Sequence, residues 1–138
     1  MQRRVGTRTR RAAVGAGLAG LLLATAASAA NPGEEIYLRY CGACHGPGGK
    51  GDGLAGTFMT PKPSDLTKIA ERSGGEFSEG AVMRYIDGTE TVRAHGDPAM
   101  PVWGEVFKLD AADPASRHAE VRGKLLLITD YLRAIQEP

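Results

Sequence analysis

The sequence predicts an all-α fold, several helices joined by long loops, on three observations. Val121, Leu125, Ile128, Leu132 and Ile135 recur at helical spacing and draw one apolar stripe near the carboxyl end. No stretch alternates apolar and polar residues in the way a half-buried strand requires. The 19 glycines and 8 prolines gather in runs between the periodic segments, where they favour loops.

The first segment is not part of that fold. Arg3, Arg4, Arg8, Arg10 and Arg11 form a basic start without an acid, and Ala12 to Ala27 is an alanine, glycine and leucine run around Leu21-Leu22-Leu23. Ala27-Ser28-Ala29 supplies a small-x-small cleavage site, so residues 1–29 read as an export signal and 30–138 as one domain. Left uncleaved, the segment would be a membrane anchor, although its length is marginal for a span and its alanine and glycine weaken it.

In the domain, Asn31 or Gly33 can start a first helix, with Pro32 in the first turn and Glu34 and Glu35 at its positive end. That helix runs through Ile36, Tyr37 and Tyr40 into Cys41. Gly46-Pro47-Gly48-Gly49-Lys50-Gly51-Asp52-Gly53 follows as a loop; it lacks the residue order and preceding strand of a phosphate-binding loop. After the extended Pro61-Lys62-Pro63, Ser64 is expected to cap a short helix over Asp65 to Arg72. Ser78 starts another that stops near Gly88, with Phe77 placed to staple against Val82 or Met83. Asp113 and Pro114 signal the start of the last helix. Gly123 inside it costs about 1 kcal/mol relative to alanine. A close helix crossing or a frayed first half would account for its presence.

Both cysteines of the chain fall in Cys41-Gly42-Ala43-Cys44-His45. This spacing reads as a covalent haem attachment site. Two intervening residues let both sulfurs reach one porphyrin edge, and the adjoining imidazole can turn under the ring to ligate the iron. A thioredoxin-like redox pair would need a strand-helix-strand setting, which the sequence lacks. A zinc site would need a fourth ligand from His95, His118 or a carboxylate at no recognised spacing. Haem attachment also favours general secretion over the twin-arginine route hinted at by Thr9-Arg10-Arg11, because the haem is added outside the cytoplasm to a chain that arrives unfolded.

The order of motifs along the domain resembles a class I cytochrome c of the small bacterial monohaem type. Gly33-x-x-x-Tyr37 lies in the first helix and Cys41-x-x-Cys44-His45 behind it. Met100-Pro101-x-Trp103-Gly104 comes downstream and Ile128-x-x-Tyr131-Leu132 in the last helix. The resemblance implies a cytochrome c fold wrapped around one covalently bound haem c and its iron, with Gly33, Tyr37, Ile128 and Tyr131 where the terminal helices cross. The stretch from Gly104 to Ala119 is longer than the pattern of the family. The family also implies histidine and methionine ligation, by His45 and by a methionine beyond it. Pro101 removes a backbone donor and holds the loop extended, so Met100 is the expected sixth ligand. Met59, in a loop, and His95, before the turn Gly96-Asp97-Pro98, are its alternatives, and Met83 reads as helical core filler. Trp103 suits haem packing or a bond to a propionate, and His118 a solvated connection.

Six-coordinate iron leaves no open site for substrate, so the chain is expected to be an electron carrier in the periplasm and not an enzyme. Its partners are then a redox protein that donates and one that accepts. A haem subunit of a larger oxidoreductase complex, or a haem enzyme or sensor with a displaceable sixth ligand, is the alternative. The whole chain holds 17 basic and 16 acidic residues. Residues 1–29 take five arginines and no acid, which leaves 30–138 at net −4. That charge gives no support to nucleic-acid binding and favours partners with a basic patch. Contact with a membrane is expected only if the signal segment stays attached.

Overall fold

The computed structural model describes residues 31–89 and 100–138. The export-signal reading of residues 1–29, and His95, lie outside the described residues. Among the described residues there are six α-helices, two 3-10 turns and no strand. None of the helices is long and apolar enough to cross a membrane.

Helix α1 spans Pro32–Tyr40. The Asn31 side chain accepts from the Gly33 amide at 2.9 Å, Pro32 occupies the first turn, and Glu34 and Glu35 complement the positive end. One residue later the chain turns into α2, Gly42–His45, so the cysteine motif forms a helical turn directly behind α1. The long helix α6, Arg117–Ala134, packs against α1 more extensively than any other pair of elements. Its stripe is the core: Ile128 is fully buried, Val121, Leu125 and Leu132 nearly so, and Ile135 packs against them.

The crossing of α1 and α6 is made possible by Gly33. A β-carbon there would lie 2.0 Å from the Leu127 carbonyl oxygen and 3.0 Å from the Tyr131 β-carbon. The rings of Tyr37 and Tyr131 meet beside it, centroids 5.0 Å apart. Gly123 serves no such purpose among the described residues, since a β-carbon there would meet none of them within 4 Å. Nor is the first half of α6 frayed, because the helix is continuous from Arg117.

Between these helices lie a 3-10 turn, Ala55–Phe58, a second one at Leu66–Lys68, and α3, Ile69–Arg72, which continues the second. The cap of this segment is Asp65 and not Ser64. Its carboxylate accepts from the Thr67 amide at 2.8 Å and the Thr67 hydroxyl at 2.6 Å. Helix α4, Glu79–Asp87, begins after Ser78 and ends at Gly88, whose left-handed φ of 80° favours glycine. Phe77 packs against the core from just ahead of α4.

Two features depart from the sequence reading near the carboxyl end. The stretch between Trp103 and the last helix, to which the sequence reading gave no element ahead of Asp113, opens with a helix, α5, Trp103–Leu109. Tertiary packing creates it: Phe107 is fully buried, and Gly104 sits so close to α4 that a β-carbon would lie 2.0 Å from Asp87 Oδ1. Helix α6 begins at Arg117, three residues after Pro114. Asp113 closes a turn ahead of it, accepting from the Ala115 amide with its side chain at 2.9 Å and from the Ser116 amide with its carbonyl at 3.2 Å.

Candidate haem-attachment site

The site is built on α2. Cys41 is buried and Cys44 is half-buried, three residues apart on one helical face, and both thiols are free. Burial and, after it, the neighbouring Cys44 push the Cys41 thiol up to about 12. Among the described residues no three His, Cys, Asp or Glu side chains converge on a metal position.

His45 ends the same turn. Its Nδ1 lies 3.0 Å from the Ser64 carbonyl oxygen, and burial lowers its affinity for a proton. The neutral imidazole therefore donates from Nδ1 and keeps its lone pair on Nε2. That is the tautomer and orientation an axial ligand needs. The Ser64 carbonyl is the functional group that sequence reasoning missed. A backbone acceptor nineteen residues away leaves no side-chain signal.

Several contacts hold Ser64 in place. The Leu66 amide donates to the Gly49 carbonyl at 2.6 Å, which ties this segment to the loop after His45. From the other side Gln136 accepts from the Ala70 amide at 2.9 Å and donates to the Leu66 carbonyl at 2.8 Å. The loop itself is pinned by the Tyr37 hydroxyl, which donates to the Gly46 carbonyl at 2.6 Å, and by Tyr131 donating to Pro47 at 3.3 Å. The glycine run thus serves close backbone packing. A β-carbon on Gly53 would come within 2.4 Å of the Ala43 carbonyl oxygen, and one on Gly56 within 2.4 Å of that of Cys44.

An apolar macrocycle suits these surroundings. Leu54 and Phe58 stand 78% and 85% exposed at the 3-10 turn that packs on α2, two large apolar side chains close in sequence that a bound macrocycle could cover. Met100 and Val102 are also exposed. Met100 lies at the border of the described residues, next to Pro101, while Met83 packs against the core and Met59 is half-buried behind the 3-10 turn. Trp103 packs its indole with Tyr40 and Phe107, centroids 5.7 and 6.0 Å away. His118 lies exposed in the first turn of α6.

A helical shell whose terminal helices cross at a glycine, with a paired-thiol turn and an oriented imidazole directly behind the first, defines a class I c-type cytochrome domain. The family described as cytochrome C oxidase, cbb3-type, subunit III matches residues 28–115, and the chain belongs to that family. No curated protein and no solved structure matches the chain. A domain of this class binds covalently attached haem c with its iron, and its role is haem-based electron transfer between redox partners.

Proposed function

We propose that this chain is an exported, periplasmic monohaem cytochrome that carries single electrons between a donor and an acceptor protein, with His45 and Met100 as axial ligands. The observation that carries the reading is the Nδ1 contact of His45 with the Ser64 carbonyl at 3.0 Å, which leaves Nε2 as the ligating nitrogen. Haem held there supplies a one-electron couple between ferrous and ferric iron, biased toward the ferrous state by a thioether ligand. Cys41 and Cys44 would hold it through two thioether bonds. Gly53 and Gly56 let the following loop pack against their backbone, and Leu54 and Phe58 would shield the macrocycle from water. If His45 and Met100 both held the iron, no coordination site would be left for a substrate, which is the basis for reading a carrier and not an enzyme.

The family's description, a subunit of a cytochrome c oxidase, favours a second reading, in which the chain is a haem subunit of a larger oxidoreductase complex. Fractionation of cells that express the full chain separates the two. A carrier is released with the soluble periplasmic contents and runs alone on a native gel. A subunit stays with the membranes and co-migrates with oxidase activity.

A further inference from the structure

The hydrogen bond between His45 and Ser64 has its two ends on different stretches of chain. His45 closes α2, which follows α1 after one residue, and α1 packs along α6. Ser64 lies just ahead of the 3-10 turn Leu66–Lys68 and of α3, both too short to keep a shape without outside contacts. One such contact comes from the glycine-rich loop of residues 46–53, where the Gly49 carbonyl accepts from the Leu66 amide. The other comes from Gln136, two residues past the end of α6 at Ala134. Its side chain spends one acceptor and two donor bonds: Oε1 accepts from the Ala70 amide at 2.9 Å, and Nε2 donates to the Leu66 carbonyl at 2.8 Å and the Leu132 carbonyl at 2.6 Å. Two carbonyls and one N–H admit only this orientation of the amide. Gln136 thereby ties the last turn of α6 to both ends of residues 66–70. Asp65, between Ser64 and Leu66, is itself fixed by accepting from the Thr67 amide and hydroxyl. Both ends of the histidine bond are therefore referred to one helix, α6.

We propose that Gln136 is a positioning residue for His45: by clamping residues 66–70 to α6 it holds the Ser64 carbonyl against Nδ1 and so sets how strongly the imidazole donates to iron. This rests on the proposed role of His45 as an axial ligand. A hydrogen bond from Nδ1 to a carbonyl raises the basicity of the opposite nitrogen, which favours ferric over ferrous iron. Loosening the clamp should then raise the reduction potential. General loosening of the fold acts the other way, because water admitted to the haem stabilises the more highly charged ferric site. The sign of the shift separates positioning from mere support. The Glu137 amide also donates to the Thr67 carbonyl, at 2.9 Å, a backbone bond that a change of side chain at 136 leaves in place.

The test uses the full haem-loaded chain with Gln136→Leu and Gln136→Met, two neutral replacements of similar bulk. Val82→Ala, which truncates a buried side chain of α4, is the control. Spectroelectrochemistry reads the potential, and nuclear magnetic resonance of the ferric protein with isotope-labelled histidine follows deuterium exchange at Nδ1 of the iron-bound ring. Both Gln136 variants should have a higher potential than the parent and exchange that proton about tenfold faster, the order a weakened hydrogen bond supplies. Val82→Ala should lose stability to urea and show neither change. A potential that falls or stays in a Gln136 variant that keeps its haem, a parent-like exchange rate there, or an equal rise in Val82→Ala would each overturn this inference while leaving His45 on the iron. A parent without a hyperfine-shifted imidazole would overturn the ligand reading itself and the inference with it.

Discussion

In our proposal His45 takes its function from two neighbours of different kinds. Cys41 and Cys44 precede it in sequence, and the covalent haem chemistry was legible from that spacing. The Ser64 carbonyl that orients the ring was not, because it depends on how two loops and the carboxyl-terminal tail pack. Met100 marks the other side of the iron in our proposal. Met100→Ala should abolish the near-infrared sulfur-to-iron band of the ferric protein, lower its reduction potential and admit carbon monoxide, while Met59→Ala and Met83→Ala leave all three nearly unchanged. An intact band in the Met100 variant would move the ligand role elsewhere. A separate residue-scale prediction concerns Asp65, whose carboxyl is held below its ordinary value chiefly by the Thr67 hydroxyl. Asp65→Ala should cost about 1 kcal/mol at neutral pH, the usual loss for a cap. A carboxylate with a lowered folded value stabilises above the ordinary value of 3.8, and that stabilisation disappears as pH falls through the folded value. Urea midpoints of the variant and the parent should therefore converge in acid.

Helices α1 and α6 show how far an element can be read before its partner is known. The stripe from Val121 to Ile135 and the pairing of Gly33 and Tyr37 with Tyr131 were legible, because periodicity and a family pattern record them. Helix α5 was not, since a seven-residue helix without a side-chain cap exists only through the packing of Phe107 and the approach of Gly104 to Asp87. The start of α6 shifted for a local reason: Asp113 spends its acceptors on a turn. Two glycine substitutions separate these causes. Gly33→Ala forces a β-carbon into the Leu127 backbone and should destabilise by about 1–3 kcal/mol or more, as overpacking does. Gly123→Ala meets open space within a continuous helix and should stabilise by about 1 kcal/mol. Denaturant titration of the holo-protein reads both, and a destabilised Gly123 variant would mean that α6 is contacted there after all.

For the molecule as a whole, net charge and haem set the behaviour. With residues 30–138 at net −4 before any propionate is counted, electron transfer with a basic redox protein should be fast at low ionic strength and slow as salt screens the encounter. Stopped-flow rates against one basic and one acidic partner over a salt series read this. A rate with the basic partner that rises with salt would show that local patches outweigh net charge. The domain is also small and leaves Leu54 and Phe58 largely exposed, so the protein without haem should be poorly folded by circular dichroism and the loaded protein stable. The central claim, one covalently held haem between His45 and Met100, is tested most directly by the visible and near-infrared spectrum of the purified protein after acid-acetone extraction and refolding, ferric and ferrous, with carbon monoxide added. The account predicts that haem stays with the chain, that the ferric form shows the sulfur-to-iron band, and that carbon monoxide leaves the ferrous spectrum unchanged. Haem released into the acetone, or a ferrous spectrum shifted at once by carbon monoxide, would contradict it.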